Sequence, residues 1–261
     1  LVSSYPGTPS TEITEFLAKF DDIHSEWAPN EKVAAEVAFG ASLAGKRSFC
    51  GMKHVGLNVA ADPLFTSSYT GVNAGMVIGV ADDPGMHSSQ NEQDSRHYAQ
   101  ASKIMMLEPA DSDECLKYSK LAFELSEKFD TPVLLRLTTR VAHSRSLADV
   151  GERNDIGLKP YEKNPQKYVM VPANAKVKHV VVEDRILNQI AYCETEAVAN
   201  GLNSVEYNDK KIGIITAGIC YEYAKEALGD KASYLKLGCV YPLPTKLVED
   251  FCKECETVYV L

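Results

Sequence analysis

"LVSSYPGTPSTEITEFLAKF", residues 1–20, passes from an apolar run through a proline-glycine break into a helical repeat. That change of period, repeated down the chain, sets the fold. Leu1 to Ser4 reads as a strand that stops at Tyr5-Pro6-Gly7. Beyond the break Ile13, Phe16, Leu17 and Phe20 recur at helical spacing and mark one apolar face. Thr8 stands where an N-cap is expected, with Pro9 at the first helical position. Its hydroxyl and the free N–H groups behind it would form a corner suited to an anion. The competing reading is that Thr8 only caps a helix.

The same alternation continues. Ser48 to Met52, Met76 to Val80, Ile104 to Leu107 and Val133 to Leu137 read as strands. Between them lie helices, among them one with Cys115, Tyr118, Ala122, Leu125 and Phe129 on a face, opened by a capping box of Asp111 and Glu114. Apolar runs alternating with helical periods predict an α/β fold with a mainly parallel sheet covered by helices, over residues 1–150. Residues 151–209 begin with "GERNDIGLKPYEKNPQKYVMVPANAKVKH", which is rich in Pro, Asn, Lys and Gly and reads as a connector. A long helix is predicted from Lys176 to Asn203, with Val182, Ile186, Ile190, Cys193 and Ala197 on its face. A further unit over residues 210–261 opens with "KIGIITAGICYEYAKEAL", a strand, glycine turn and helix; "SYLKLGCVYPLP" and "TVYVL" read as the next two strands. Starting and stopping on strands, the chain is expected to be part of a longer polypeptide.

The chain has 261 residues, of which 45% are hydrophobic and 24% charged, enough for a sizeable core. Its net charge of −9, without a block of Lys or Arg, argues against nucleic-acid or membrane partners. No apolar run reaches membrane-spanning length and no leader pattern opens the chain, so a cytoplasmic location is expected. The seven cysteines are odd in number and scattered, which suits a reducing compartment. Cys252 and Cys255 form one C-x-x-C pair on an apolar helix. An iron-sulfur cluster takes about four thiolates, so packing is the preferred reading of that pair.

Three more stretches carry candidate chemistry. In "PNEKVAAEVAFGASLAG", residues 29–45, Glu31 opens a helix whose residues Ala34, Ala35, Ala38, Gly40, Ala41 and Ala44 are small enough to admit a close backbone or a flat ligand. A first-turn carboxylate also gains about 0.3 to 1 kcal/mol from the helix dipole alone. Glu36 lies about 140° around the helix and cannot face the same ligand. "DDPGMHSSQNEQDSRHY", residues 82–98, follows a buried strand and presents Ser88, Gln90 and Asn91 in a ligand-facing or merely solvated loop. Its His87, Glu92 and His97 match no standard metal spacing, so no metal is expected. "GMKHVGLNVAADPL", residues 51–64, delivers Lys53 and His54 to the same rim, where Lys53 would neutralise a carboxylate or phosphate and Asn58 would hydrogen-bond a ligand. No G-x-S-x-G elbow, phosphate-loop lysine or G-x-G-x-x-G after a strand is present, which disfavours hydrolase, NTPase and dinucleotide readings.

Together "YPGTPSTEI", "NEKVAAEVAFGASLAG" and "DDPGMHSSQNEQDSRHYAQASKI" resemble the 2-oxoacid:ferredoxin oxidoreductases, the last of them the indolepyruvate branch. The resemblance spans nearly the whole chain. It implies a thiamine diphosphate fold: a pyrimidine-binding domain over 1–150, the connector, and a transketolase C-terminal-like α/β domain over 210–261. The family glutamate precedes a helix glycine by nine residues, as Glu31 precedes Gly40. By this resemblance Glu31 hydrogen-bonds N1′ of the aminopyrimidine and activates the cofactor. Thr8 takes the family threonine's place near the substrate. Tyr5, Lys53, His54, Ser88, Gln90 and Asn91 are candidate substrate residues, and Asn58 a candidate cofactor residue, by loop position. The implied reaction decarboxylates an aryl pyruvate such as indolepyruvate, hands the acyl group to coenzyme A, and passes electrons through 4Fe-4S clusters to ferredoxin. The family's Mg2+ and cluster ligands lie in other domains, so this chain alone is expected to be inactive and to work as part of an oligomer with a second subunit. A pyruvate or 2-oxoglutarate oxidoreductase, or a non-catalytic scaffold of the same fold, stays open.

Overall fold

The computed structural model describes residues 1–152 and 155–261; Arg153 and Asn154, within the expected connector, lie outside the described residues. In the first sheet, β1 (Val2–Ser4), β2 (Ser25–Trp27), β3 (Ser48–Lys53), β4 (Met76–Asp82), β5 (Met106–Leu107) and β6 (Val133–Thr138) run parallel. A late strand, β10 (Cys239–Tyr241), joins the edge antiparallel, giving the order β10-β5-β6-β4-β3-β1-β2. Alternate residues of one strand serve opposite layers. Met76, Ile78 and Val80 of β4 face a core that includes Ala34, Ala35 and Ala38, while Val77 faces one that includes Tyr118, Ala122 and Leu125.

The first layer is made by α2 (Glu31–Leu43), α3 (His54–Val59) and α4 (Ala61–Thr70), and α5 (Arg96–Ser102) adds Ala99 to the same core. α6 (Ser112–Phe129) lies on the other face. Its capping box forms as expected at Asp111, which accepts from Glu114 N at 2.8 Å, but Glu114 Oε2 reaches back to Ala110 N, also at 2.8 Å, one residue before the cap. The small helices α7 (Thr139–His143) and α8 (Pro165–Tyr168) follow.

Several local expectations change. Helix α1 (Thr11–Leu17) starts later than the Thr8-Pro9 reading required: Ser10 is its N-cap, Thr8 is exposed, and the Thr8-Pro9 peptide is cis. Its apolar face is largely outside the core. Phe16 and Phe20 pack edge-on against each other at 5.7 Å in an exposed position, and only Ile13 reaches buried residues. The strand expected over Ile104 to Leu107 shortens to β5. The edge strand β2, half-exposed and three residues long, carries too little pattern to be read.

The helix expected from Lys176 to Asn203 is α9 (Pro172–Glu194), followed by a break at Thr195 and a single turn, α10 (Glu196–Ala199). Pro172 sets its start. Its buried side is Val182, Arg185, Gln189, Tyr192 and Cys193, so it turns two polar residues inward where Ile186 and Ile190 were expected. Arg185 is held there by Ser68 O at 2.5 Å and Asp130 O at 2.9 Å.

The second sheet has the order β11-β8-β9-β7, from β7 (Asn203–Glu206), β8 (Ile212–Ala217), β9 (Ser233–Leu237) and β11 (Thr257–Val260). Helices α11 (Ile219–Leu228) and α12 (Thr245–Glu254) cover it. Its pairing begins at Asn203, seven residues before the expected start of this unit, and β7 runs antiparallel to β9. "SYLKLGCVY" is two strands in two sheets. Gly238 forms the joint: a Cβ there would sit 2.3 Å from Leu202 O and 2.6 Å from the Tyr118 hydroxyl, so only glycine lets the chain cross.

Candidate active site

The parallel strands β1, β3 and β4 deliver their C-terminal loops to one rim, where ligands of open α/β sheets bind. Three contacts tie these loops together. A Cβ on Gly7 would touch Lys53 Cβ at 3.1 Å, so the turn after β1 rests on the lysine stem. Lys53 Nζ donates to Ser88 O at 2.5 Å, and His54 Nε2 lies 3.2 Å from Asn91 O. The expected residues Lys53, His54, Ser88 and Asn91 are thus neighbours, and Tyr5 is exposed two residues before Gly7 on the braced turn. Ser88 and Asn91 enter these contacts through backbone carbonyls, and the Asn91 side chain accepts from Gln93 at 2.8 Å.

Lys53 is 9% exposed, yet among the described residues it has no carboxylate partner. A cation kept so far from water without a counter-charge suits an anionic ligand. His54 is buried with Nδ1 unpartnered. Gln90 and Thr8 are exposed at the rim, and Asn58, also exposed, accepts from the Tyr98 hydroxyl at 2.5 Å.

Glu31 opens α2 behind its N-cap Asn30, which accepts from Val33 N at 3.0 Å. Its side chain does not turn away from the fold. It lies over Gly56 of α3, where a Cβ would fall 2.5 Å from Glu31 Oε1. Among the described residues its carboxylate has no ion-pair or hydrogen-bond partner. Cys50 lies buried in its field, and burial first, then the nearby Glu31 charge, raise the thiol pKa and keep it neutral. Glu36 is exposed and 4.0 Å from Lys32, which also binds Asp62 at 3.0 Å, so it belongs to the surface.

The small residues of α2 do their work in part. Ala34, Ala35, Ala38 and Ser42 are buried, whereas Gly40 and Ala44 are exposed, and a Cβ on Gly40 would meet nothing within 4 Å. No other part of the described chain approaches Gly40; the close contact in this region is at Gly56.

Two further groups organise the loop after β4. Asp83, 1% exposed, accepts from Ser88 N at 2.8 Å, Ser89 Oγ at 2.5 Å, Thr139 Oγ1 at 2.7 Å and His87 N at 3.2 Å. Burial alone would raise its pKa, but these bonds outweigh burial and hold the carboxyl well below its ordinary value. Asp82 accepts from Ser95 N at 3.0 Å and from Arg136 Nε at 2.8 Å, while Arg136 Nη1 donates to Glu108 at 2.6 Å. Burial opposes the Arg136 charge; Glu108 and Asp82 outweigh it and raise the guanidinium pKa.

Because the folded pKa of Asp83 is depressed, the stability it supplies is complete above its unfolded value near about 4. It is lost as pH falls toward the lower folded value. Replacing Asp83 by Asn in the intact protein is expected to cost about 1.5 to 3 kcal/mol at pH 7, the range for hydrogen bonds to a charged group. The gap from wild type should then narrow as the pH drops below about 4. Urea unfolding across that range checks this; a constant gap contradicts it.

Among the described residues no group of three or more His, Cys, Asp or Glu is placed to hold a metal, and no helix is long and apolar enough to cross a membrane. The family model described as pyruvate flavodoxin/ferredoxin oxidoreductase, thiamine diphosphate-binding, matches residues 1–211. The indolepyruvate oxidoreductase subunit IorA of Methanothermobacter marburgensis is 45% identical over 268 residues, covering 100% of this chain and 43% of that protein. Its namesake from Archaeoglobus fulgidus is 42% identical over 272 residues, covering 99% and 43%. The chain therefore spans under half the length of these relatives. Among solved structures, the 2-oxoglutarate:ferredoxin oxidoreductase from Magnetococcus marinus, with 2-oxoglutarate, coenzyme A and succinyl-CoA bound, has a TM-score of 0.76 at 18% identity, covering 99% of this chain and 54% of that one. A split-gene transketolase, an inactive beta4 tetramer, has 0.53 at 17%, covering 100% and 72%. At these identities the two structures speak for the fold alone.

Proposed function

Because this chain belongs to the thiamine diphosphate-binding family of pyruvate flavodoxin/ferredoxin oxidoreductases, we propose that it forms the pyrimidine-facing side of the cofactor site in an indolepyruvate:ferredoxin oxidoreductase. The observation that carries this reading is the Glu31 carboxylate seated on Gly56, beside the Lys53-His54 rim and without an ion-pair or hydrogen-bond partner among the described residues. A carboxylate left free over a glycine is what a flat, protonatable ring nitrogen requires, so these residues fit the group. When bound, thiamine diphosphate supplies the nucleophilic carbon that adds to the keto group of a 2-oxoacid and holds the electrons left after carbon dioxide departs.

This chain's residues prepare that chemistry. Glu31 accepts a hydrogen bond from the aminopyrimidine N1′ and holds the proton there. Lys53, shielded and without a carboxylate partner among the described residues, receives the substrate carboxylate. Tyr5 and Thr8, on the turn braced by Lys53, border the substrate; His54, Gln90 and the Ser88 and Asn91 backbone close the rim. Asn58 lies at the outer edge, where its bond to Tyr98 competes with any ligand.

On the same reading, residues 1–150 are the pyrimidine-binding domain and residues 210–261 belong to a transketolase C-terminal-like domain, with 151–209 between them. Mg2+, the 4Fe-4S clusters, and the coenzyme A and ferredoxin sites are assigned to the part of the enzyme outside this chain. The relatives' name as a subunit supports a multi-subunit assembly; a cytoplasmic location is part of the same proposal, in keeping with the lack, among the described residues, of a helix long and apolar enough to cross a membrane.

Ferredoxin reduction by the full-length enzyme, with coenzyme A and with indolepyruvate, pyruvate or 2-oxoglutarate, tests the substrate assignment. Indolepyruvate is expected to lead by about 100-fold or more in kcat/KM. A lead for pyruvate or 2-oxoglutarate would move the chain to another branch of the family.

A further inference from the structure

We propose that Gly56 is the positioning residue for Glu31, an inference that rests on the reading of Glu31 as the cofactor's proton partner. A Cβ at Gly56 would lie 2.5 Å from Glu31 Oε1, 2.6 Å from Cγ and 2.8 Å from Cδ. All three are inside contact distance, and all three belong to one side chain. Nothing in the backbone asks for glycine here. Gly56 sits within α3 with no left-handed φ, where alanine is the better helix former. The glycine is required by the side chain lying across it.

The consequence is geometric. Glu31 leaves α2 on a flexible stem and settles its carboxylate on the bare backbone of α3, the helix that directly follows Lys53. One short segment, Lys53 to Gly56, therefore fixes both the shielded cation and the carboxylate. Gly40, the other glycine aligned with Glu31 in sequence, touches nothing within 4 Å and plays no such part.

A methyl group at Gly56 pushes against the flexible end of Glu31, so the fold adapts by turning the glutamate away. In the full-length enzyme Gly56→Ala is expected to bind thiamine diphosphate and Mg2+ with affinity within about threefold of wild type, since on the reading above Mg2+ and the diphosphate it binds are held outside this chain. Its kcat should fall on the order of 100-fold, the scale of an ångström's misplacement. The near-ultraviolet circular dichroism of the bound cofactor should change as it does in Glu31→Gln. Without cofactor, Gly56→Ala should raise the melting temperature more in a Glu31→Ala background than in wild type, because only wild type holds a side chain to displace. A merely structural role for Gly56 would move melting and cofactor affinity equally in both backgrounds, and that result would overturn the proposal. Full activity of Gly56→Ala beside an inactive Glu31→Gln would also overturn it while leaving the Glu31 reading intact. Full activity of Glu31→Gln would remove both.

Discussion

Glu31→Gln in the full-length enzyme is expected to fold normally, bind thiamine diphosphate and lose about 1,000-fold in turnover, within the range for removal of a positioned proton-transfer group. Gln preserves the size of the side chain and its seat on Gly56. It does not preserve a carboxylate that shares a proton with a ring nitrogen. The loss should fall on kcat, with little change in the KM for the 2-oxoacid, because Lys53 and the loops that form the rim are untouched. Stopped-flow measurement of ferredoxin reduction separates the two. Unaltered turnover would favour a non-catalytic role for this fold, since the glutamate would then be only a first-turn charge favoured by the helix dipole.

The largest expected effect on stability is at Arg136. Its guanidinium, 5% exposed, joins Asp82 and Glu108, both also buried, and Asp82 in turn holds Ser95 at the far end of the loop. Arg136→Met keeps the apolar stem but strands two carboxylates away from water. Breaking such a group from one side costs about 3 to 5 kcal/mol, mainly as the penalty for uncompensated charge. Among the described residues Glu108 Oε2 has no hydrogen-bond partner, and Arg96, whose charge already acts on Glu108, is itself paired with Asp94. Adding Glu108→Gln to Arg136→Met should recover part of the stability by removing one stranded charge. Denaturant unfolding of the intact enzyme and its variants measures both steps; a loss below about 1 kcal/mol for Arg136→Met would show that the group is not the buried anchor described.

Much of the architecture was legible because the chain announces it locally. The apolar runs at Ser48, Met76 and Val133 are strands buried on both faces, and the alternation with helical periods is enough to imply a parallel sheet. The capping signal at Asp111 works because it involves residues three apart. What escaped reading depends on distant partners. The turn inward of Arg185 is decided by Ser68 and Asp130, far away in sequence. The split of residues 233–241 between two sheets is decided by Leu107 and Leu202. Phe16 and Phe20 kept helical spacing without finding a core.

The site was legible to a similar depth. Glu31, Lys53, His54 and the loop after β4 stood out by type and position; Lys53 and His54 contact that loop, and Glu31 rests on Gly56, two residues after His54. Asp83 and Arg136 were missed although each left a signal: an acidic pair closing a buried strand, and an arginine inside "VLLRLT". Either points to a partnered buried charge, hydrogen-bond donors at Asp83 and an ion pair at Arg136, once charges inside apolar runs are treated as requiring a partner. Gly56 left none, because its role appears only when the carboxylate it supports is placed.

The catalytic role of this chain turns on the Glu31 carboxylate meeting the aminopyrimidine. A crystal structure of the full-length enzyme with thiamine diphosphate and Mg2+ measures that contact directly. A Glu31 oxygen is expected within about 2.6 to 3.2 Å of N1′, with the side chain still resting on Gly56. A pyrimidine ring bound elsewhere, with Glu31 facing solvent, would contradict it.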